Sequence, residues 1–171
     1  MKLSPEKTMV TNITEGFDFL GWNFRKYKVG NRFKLIIKPS KGPVKSFLEK
    51  IKGMIDNKSI AMTQDILISS LNPVIRGWCD YHRSTCASKT FRYLDNEIFW
   101  TLYRWALRRH KNKGKHWVKS RYWHCENGSK WIFRTDEKTL LKLQSSEIKR
   151  HVKVVSEKSP YVDHEYFQER K

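Results

Sequence analysis

Residues 71–82, LNPVIRGWCDYH, constrain this chain more than any other stretch. Asn72-Pro73 has the form of a helix start. Asparagine accepts a backbone hydrogen bond at a cap, and proline suits the first helical position, where its missing N–H would have no partner. Beyond it Val74, Ile75, Trp78, Cys79 and His82 recur at helical spacing and define one face, with Arg76, Asp80 and Arg83 pointing elsewhere. The residue before a proline is pushed out of the helical region, so 71–73 should break or kink the chain, and the helix should then run to about Cys86. Gly77 inside that helix costs roughly 1 kcal/mol against alanine. A helix accepts that where a backbone or a ligand comes close, so Gly77 is expected under a neighbouring element.

The flanking segments alternate between periods of two and of 3.6 residues. Over 17–27, Leu20, Trp22 and Phe24 alternate with Gly21, Asn23 and Arg25, as in a strand; Phe17 and Phe19 fall out of phase, which suggests a bulge near Gly21. Gly30-Asn31 is a hairpin turn signal, and a return strand over 32–38 would set Phe24 opposite Ile37. Pro39 ends that strand. Gly42-Pro43 opens a helix with the stripe Val44, Phe47, Leu48, Ile51, Met54 and Ile55. A loop follows at 56–58, and Thr63 caps a helix through Leu71. Ser88 is expected to cap a further helix, 89 to about 110, with Phe91, Leu94, Ile98, Leu102 and Trp105 as its core stripe. Phe99, Trp100 and Tyr103 broaden its apolar surface. Residues 117–124 and 130–135 read as two strands joined by Asn127-Gly128, 139–143 as one helical turn, Val152 and Val154 as a short strand, and 156–171 as a loosely held polar tail. The expected fold is α+β: an N-terminal β-hairpin (1–40), a thumb-like helical bundle (41–110), and a basic C-terminal extension with a small β-hairpin (111–171).

Charge narrows the partners. The net charge is +18, from 35 Lys and Arg against 17 Asp and Glu. Nucleic acid is the leading partner for such a surplus, and an anionic membrane surface the second. Aromatic residues interleaved with the basic ones favour nucleic acid. No run approaches the ~18 apolar residues of a membrane span, and the N-terminal residues lack a signal-peptide core, so a cytoplasmic location is expected. From 104 to 125 there are eight Lys or Arg and no Asp or Glu. Arg104, Arg108, Arg109, Lys111, Lys113, Lys115, Lys119 and Arg121 are therefore candidate phosphate contacts, joined by Arg76 and Arg83 on the outer face of the 74–86 helix. Trp117, Tyr122 and Trp123 are placed to stack on unpaired bases or to fill the hairpin core; core is favoured for Trp123 and Trp131, and both roles stay open for Tyr122. The Trp78/Tyr81 pair reads as core, and His82 as a hydrogen-bonded core histidine.

LNPVIRGWCDYH, followed by KTFRYLDNEIFWTLYRWALRRHKNK, resembles the maturase-specific region, also called domain X or thumb, of group II intron reverse transcriptases. LSPEKT and GFDFLGWNFRKY resemble the end of the palm of those proteins, and IKRHVKVVSEKSPYVDHEYFQERK the connector before their nuclease domain. The resemblance implies structural motif positions at Gly21, Asn72, Pro73, Gly77, Trp78, Tyr81 and Trp105. It also implies a maturase role: gripping structured group II intron RNA and helping it reach its splicing-active form, while the RNA does the chemistry.

The chemistry of the full-length family is not all present. Polymerases cluster carboxylates around two metal ions, and the family places them in a Tyr-x-Asp-Asp turn; this sequence contains no Asp-Asp pair. The His-rich nuclease site has no counterpart either. The chain is thus expected to be no enzyme and to need no cofactor. Cys79, His82, Cys86, His124 and Cys125 form no convincing zinc pattern, and reduced thiols are the expectation; Asp163-His164-Glu165 reads as solvated. The chain resembles a split or truncated copy. It would act with a separate reverse transcriptase palm and fingers polypeptide, docked through 17–38 and the surface of Phe99, Trp100 and Tyr103. A DNA target is the alternative partner.

Overall fold

A computed structural model describes residues 10–126, 129–149, 158–159 and 161–168. The fold is α+β, with a three-stranded sheet, a helical core and a second, two-stranded sheet. The first sheet is the antiparallel meander β1 (Phe17–Phe19), β2 (Trp22–Val29) and β3 (Arg32–Pro39). Gly30 takes a positive φ in the β2–β3 turn, and the register sets Val29 opposite Arg32 and Phe24 opposite Ile37, as the alternation predicts. There is no bulge at Gly21. Leu20 and Gly21 both have positive φ (47° and 79°) and reverse the chain, so Phe17 pairs with Phe24 and their rings stack at 5.4 Å. The phase change that suggests a bulge is a strand reversal, for which two positive-φ residues are the favoured turn.

This sheet is fastened to the helices by polar bonds. Tyr81 donates its hydroxyl to the Leu20 carbonyl at 2.6 Å, and the Cys86 N–H donates to the Ile37 carbonyl at 2.8 Å. Trp22 Nε1 donates to His82 Nδ1 at 3.1 Å. His82 is a core histidine, 1% exposed, as its place on the stripe predicts.

Helix α1 (Lys41–Met54) buries Phe47, Leu48 and Ile51, and Ile55 follows them into the core. Residues 56–58 are not a plain loop: a 3-10 helix spans Asn57–Ala61. Helix α2 (Gln64–His82) begins where Thr63 Oγ1 accepts from the Ile66 N–H. It continues without interruption through Pro73. The expected break is absent because Leu67, Ile68, Leu71, Ile75 and Cys79 form one buried stripe across the proline, and that burial outweighs the ~3 kcal/mol a mid-helix proline costs. Asn72 is accordingly no cap; its side chain donates to the Thr139 carbonyl (3.0 Å) and accepts from the Leu141 N–H (2.9 Å), tying α2 to the C-terminal part. The helix stops at His82 rather than Cys86, where Thr85 turns back to bond the His82 carbonyl through Oγ1 and N–H. Gly77 is exposed, with nothing within 4 Å of where a Cβ would stand, so no neighbouring element covers it. Tyr81 is also half exposed, whereas Trp78 packs on the core against Phe47 and Phe91.

Helix α3 (Ser88–Arg109) has Ala87, not Ser88, at its cap, without a side-chain bond. Phe91, Leu94, Ile98, Leu102 and Trp105 are buried as the stripe predicts. Residues 115–122 form helix α4 (Lys115–Tyr122), not the first part of a strand. Val118 and Tyr122, one turn apart, are its buried residues. The strand pattern holds only for β4 (Trp123–Glu126), which pairs with β5 (Ser129–Phe133), Trp123 opposite Phe133. Asn127-Gly128 lies outside the described residues, as do Val152 and Val154. No helical turn occupies 139–143: Thr139 bridges Arg134, and a short 3-10 helix spans Leu143–Ser145. Within the expected polar tail, His164–Gln168 forms helix α5. One core joins α1–α3 with Val118, Tyr122, Trp123, Phe133, Leu140 and Leu143. Phe99 and Tyr103 pack on Trp123, so β4 covers much of the broad aromatic face of α3, and Trp100 remains half exposed.

Two stability predictions follow from this packing. Trp105 Nε1 donates to the Ser59 carbonyl at 3.1 Å in a fully buried setting. Trp105→Phe orphans that carbonyl and leaves a void, and should cost on the order of 2 kcal/mol in urea unfolding. Burial holds His82 down to about pKa 4 from its usual 6.5. The unfolded chain therefore binds the extra proton first, and stability should fall as pH drops from about 6.5 to about 4, by about 3 kcal/mol. Urea midpoints at pH 7 and pH 4 should show that slope, and His82→Gln should flatten it.

Candidate nucleic-acid interface

The basic segment is built on α3, the turn after it and α4. At the C-terminal end of α3, burial on one side fixes Trp105 and Ala106, leaving Arg104 and Arg108 on the exposed side. The chain turns at 110–114 and α4 folds back, so that Tyr122 meets Trp105 edge-on at 5.5 Å. His110 Nε2 and the Tyr122 hydroxyl are 2.8 Å apart and close the turn. Burial, then the charges of Arg109, Arg121 and Lys113, push the His110 pKa down. That direction disfavours adding a further positive charge to a turn already dense in cations.

The candidate residues separate into two groups. Lys111, Lys113, Lys115 and Arg121 are exposed along the turn and α4, and Lys119 is half-buried between them. Arg108, though exposed, and the half-buried Arg109 are engaged by the protein instead: Arg108 Nη2 donates to the Ile55 carbonyl (3.3 Å), and Arg109 Nη1 donates to the carbonyls of Ile60 and Met62. They pin the 55–62 segment to α3. Arg104 is exposed with Nη2 3.4 Å from Thr101 Oγ1. On α2, Arg83 lies 3.6 Å from Asp80, and Arg76 is exposed beside a cleft that also contains Cys79, Asp80 and Lys142. Tyr122 is removed from the base-stacking candidates: it is 6% exposed, its ring stacks on Phe133, and burial pushes its phenol pKa up.

Two tryptophans present ring surface in its place. Trp117 is 40% exposed, with Lys113 Nζ 5.4 Å from its ring centroid and His110 against its edge. Trp131, expected in the core, is 42% exposed, and Lys119 Nζ sits 3.2 Å from its ring centroid. Lys113 precedes the Gly114 cap of α4, so the Lys113–Trp117 contact forms across the helix start and a helical reading of 115–122 does not predict it. The Lys119–Trp131 pair joins separate elements and has no local signal.

Among the described residues, no group of three or more His, Cys, Asp or Glu is placed to hold a metal ion. Cys79 is buried, and burial pushes its thiol pKa up; Cys86 and Cys125 are exposed. No helix among the described residues is long and apolar enough to cross a membrane.

The split between structural and exposed cations is testable by thermal or urea unfolding. Arg109→Ala should destabilise the fold by about 1–3 kcal/mol through its lost carbonyl bonds. Lys111→Ala, Lys113→Ala and Lys115→Ala should each stay within about 0.5 kcal/mol of the parent.

Comparison with known proteins places this geometry. A family model described as the group II intron maturase-specific domain matches residues 44–123, from the first turn of α1 to the start of β4. Maturase-like protein 1 of Euglena gracilis and that of Euglena longa are each 34% identical over 84 residues, 48% of this chain. The matched stretch is 18% of the length of either relative. Helices α1 to α4, with the turn that carries the exposed lysines, thus lie in the stretch that is similar to the group II intron maturase-specific domain.

Proposed function

We propose that the chain binds group II intron RNA and assists its folding for splicing, through the cationic surface of the 110–114 turn and α4. The observation that carries this reading is the placement of Lys111, Lys113, Lys115 and Arg121, all exposed, on a folded element of the stretch similar to the maturase-specific domain. No carboxylate interrupts them in sequence. A cationic ridge of this kind neutralises phosphates, releases counterions and lets phosphate-dense helices approach one another. Arg104 extends the ridge onto α3, with Arg76 and Arg83 as further contacts on α2. Arg108 and Arg109 contribute field more than contact, because their guanidinium groups are engaged with carbonyl oxygens.

The RNA does the splicing chemistry in this proposal and the protein supplies the surface. A palm and fingers polypeptide is the proposed protein partner. The exposed apolar side chains of the first sheet, Phe19, Leu20 and Phe33, give it a place to dock.

The test is a salt titration of binding to a group II intron RNA, with unrelated RNA and duplex DNA of equal length. The intron should be preferred, and the preference should survive moderate salt. Changing Lys111, Lys113 and Lys115 together to Ala should lower the salt slope by about 2–3, close to 0.9 for each lost phosphate contact. Equal binding to all three polyanions would reject the maturase reading, and a preference for duplex DNA would replace it with target recognition.

A further inference from the structure

Trp131 is unusual in three respects. It has a φ of +67°, a region that a bulky aromatic residue seldom occupies. It is nearly half exposed, so core burial does not account for the strain. It also forms part of the wall of a cleft of about 220 Å³ between α3 and the 140–144 segment, whose lining includes Arg92, Asn96, Phe99 and Gln144. Strained backbone that the surrounding structure holds in place tends to mark functional sites.

The chemistry of the cleft suits a flat, polar-edged ring. Trp131 and Phe99 supply aromatic surface. Lys119 rests on the Trp131 ring and is not part of the cleft lining, so the indole is held without filling the cleft. Asn96 and Gln144 are exposed, and their side-chain amides each carry donors and an acceptor, the complement of a base edge. The Gln144 backbone is fixed by Asp95, whose carboxylate accepts the N–H groups of Leu143 (2.8 Å) and Gln144 (2.9 Å). Arg92 and Lys142 also line the cleft, and their charge offsets that carboxylate. The volume lies below the ~300 Å³ at which drug-sized sites begin, which suits one ring system rather than a whole nucleotide.

We propose that this cleft holds a single unpaired base of the bound RNA, stacked on Trp131, with Asn96 and Gln144 at its edge. The proposal rests on the RNA-binding reading and deepens it: the ridge on α4 takes phosphates, and the cleft takes a base extruded from the fold. Unpaired bases on aromatic side chains are the usual route to sequence-dependent recognition of RNA.

The test uses the full chain and three probes: a short single-stranded RNA, the same RNA with its bases removed at alternate positions, and an RNA duplex. The intact strand should bind about tenfold tighter than the abasic one, the worth of one stacked base. Trp131→Gly suits the positive φ and removes the whole side chain; it should abolish that difference and leave duplex binding unchanged. Trp131→Phe should retain part of it. A 2-aminopurine in the strand should be quenched by the parent protein and not by Trp131→Gly. Equal binding of intact and abasic strands by the parent would overturn the cleft assignment while leaving the phosphate ridge standing. So would an equal loss on strand and duplex in Trp131→Gly. Failure to bind any of the three would overturn the RNA-binding reading along with it.

Discussion

The buried indole of Trp105 is the contact on which the rest of the structure depends. Its N–H satisfies the Ser59 carbonyl, and its ring edges meet Tyr122 and Phe133. The Arg109 guanidinium lies 5.4 Å from the ring centroid. One side chain thus joins α3 to the 57–61 segment, α4 and β5. Burying a ring that large is a substantial part of what stabilises a domain of this size, and its polar edge prevents the neighbours from sliding. The position of α4 follows from it, because Tyr122 is the residue through which α4 meets α3.

That anchoring answers a problem set by charge. A surplus of +18 repels itself, and its densest stretch runs through the end of α3 and α4. The fold absorbs part of the load internally: Arg108 and Arg109 donate to carbonyl oxygens, Lys119 rests on Trp131, and the His110 pKa is pushed down. The remaining cations point outward on a packed element rather than on a mobile arm. A preformed cationic surface loses less conformational freedom on binding than a disordered one, and that is the physical advantage of placing it on a helix.

Much of this was legible where the pattern is local and strictly periodic. The β2–β3 register, the stripes of α1 and α3 and the burial of His82 follow from alternation and helical spacing alone. Two kinds of error remain. Local rules were overridden by burial at Pro73, where a continuous apolar stripe carries α2 across a residue that usually ends a helix. Residues 117–122, rich in aromatic and β-branched side chains, look like a strand, and only the contacts of Val118 and Tyr122 with the core decide for a helix. Site residues were harder still. The basic run was plain in the sequence, but the division between structural Arg108 and Arg109 and exposed Lys111, Lys113 and Lys115 depends on carbonyls about 50 residues away. Gly77 kept its apparent cost without the covering element that would explain it.

The central claim is that the cationic surface is a folded part of the stretch similar to the maturase-specific domain, held by Tyr122 against Trp105, and is the proposed place of RNA binding. Hydrogen–deuterium exchange of the free protein and of its complex with a group II intron RNA tests both halves. The account predicts that amides of Val118 to Tyr122 are protected in the free protein along with the C-terminal half of α3, and that protection of the 110–121 segment rises further in the complex. Unprotected exchange across α4 in the free protein, or added protection confined to elements far from it, would contradict the account.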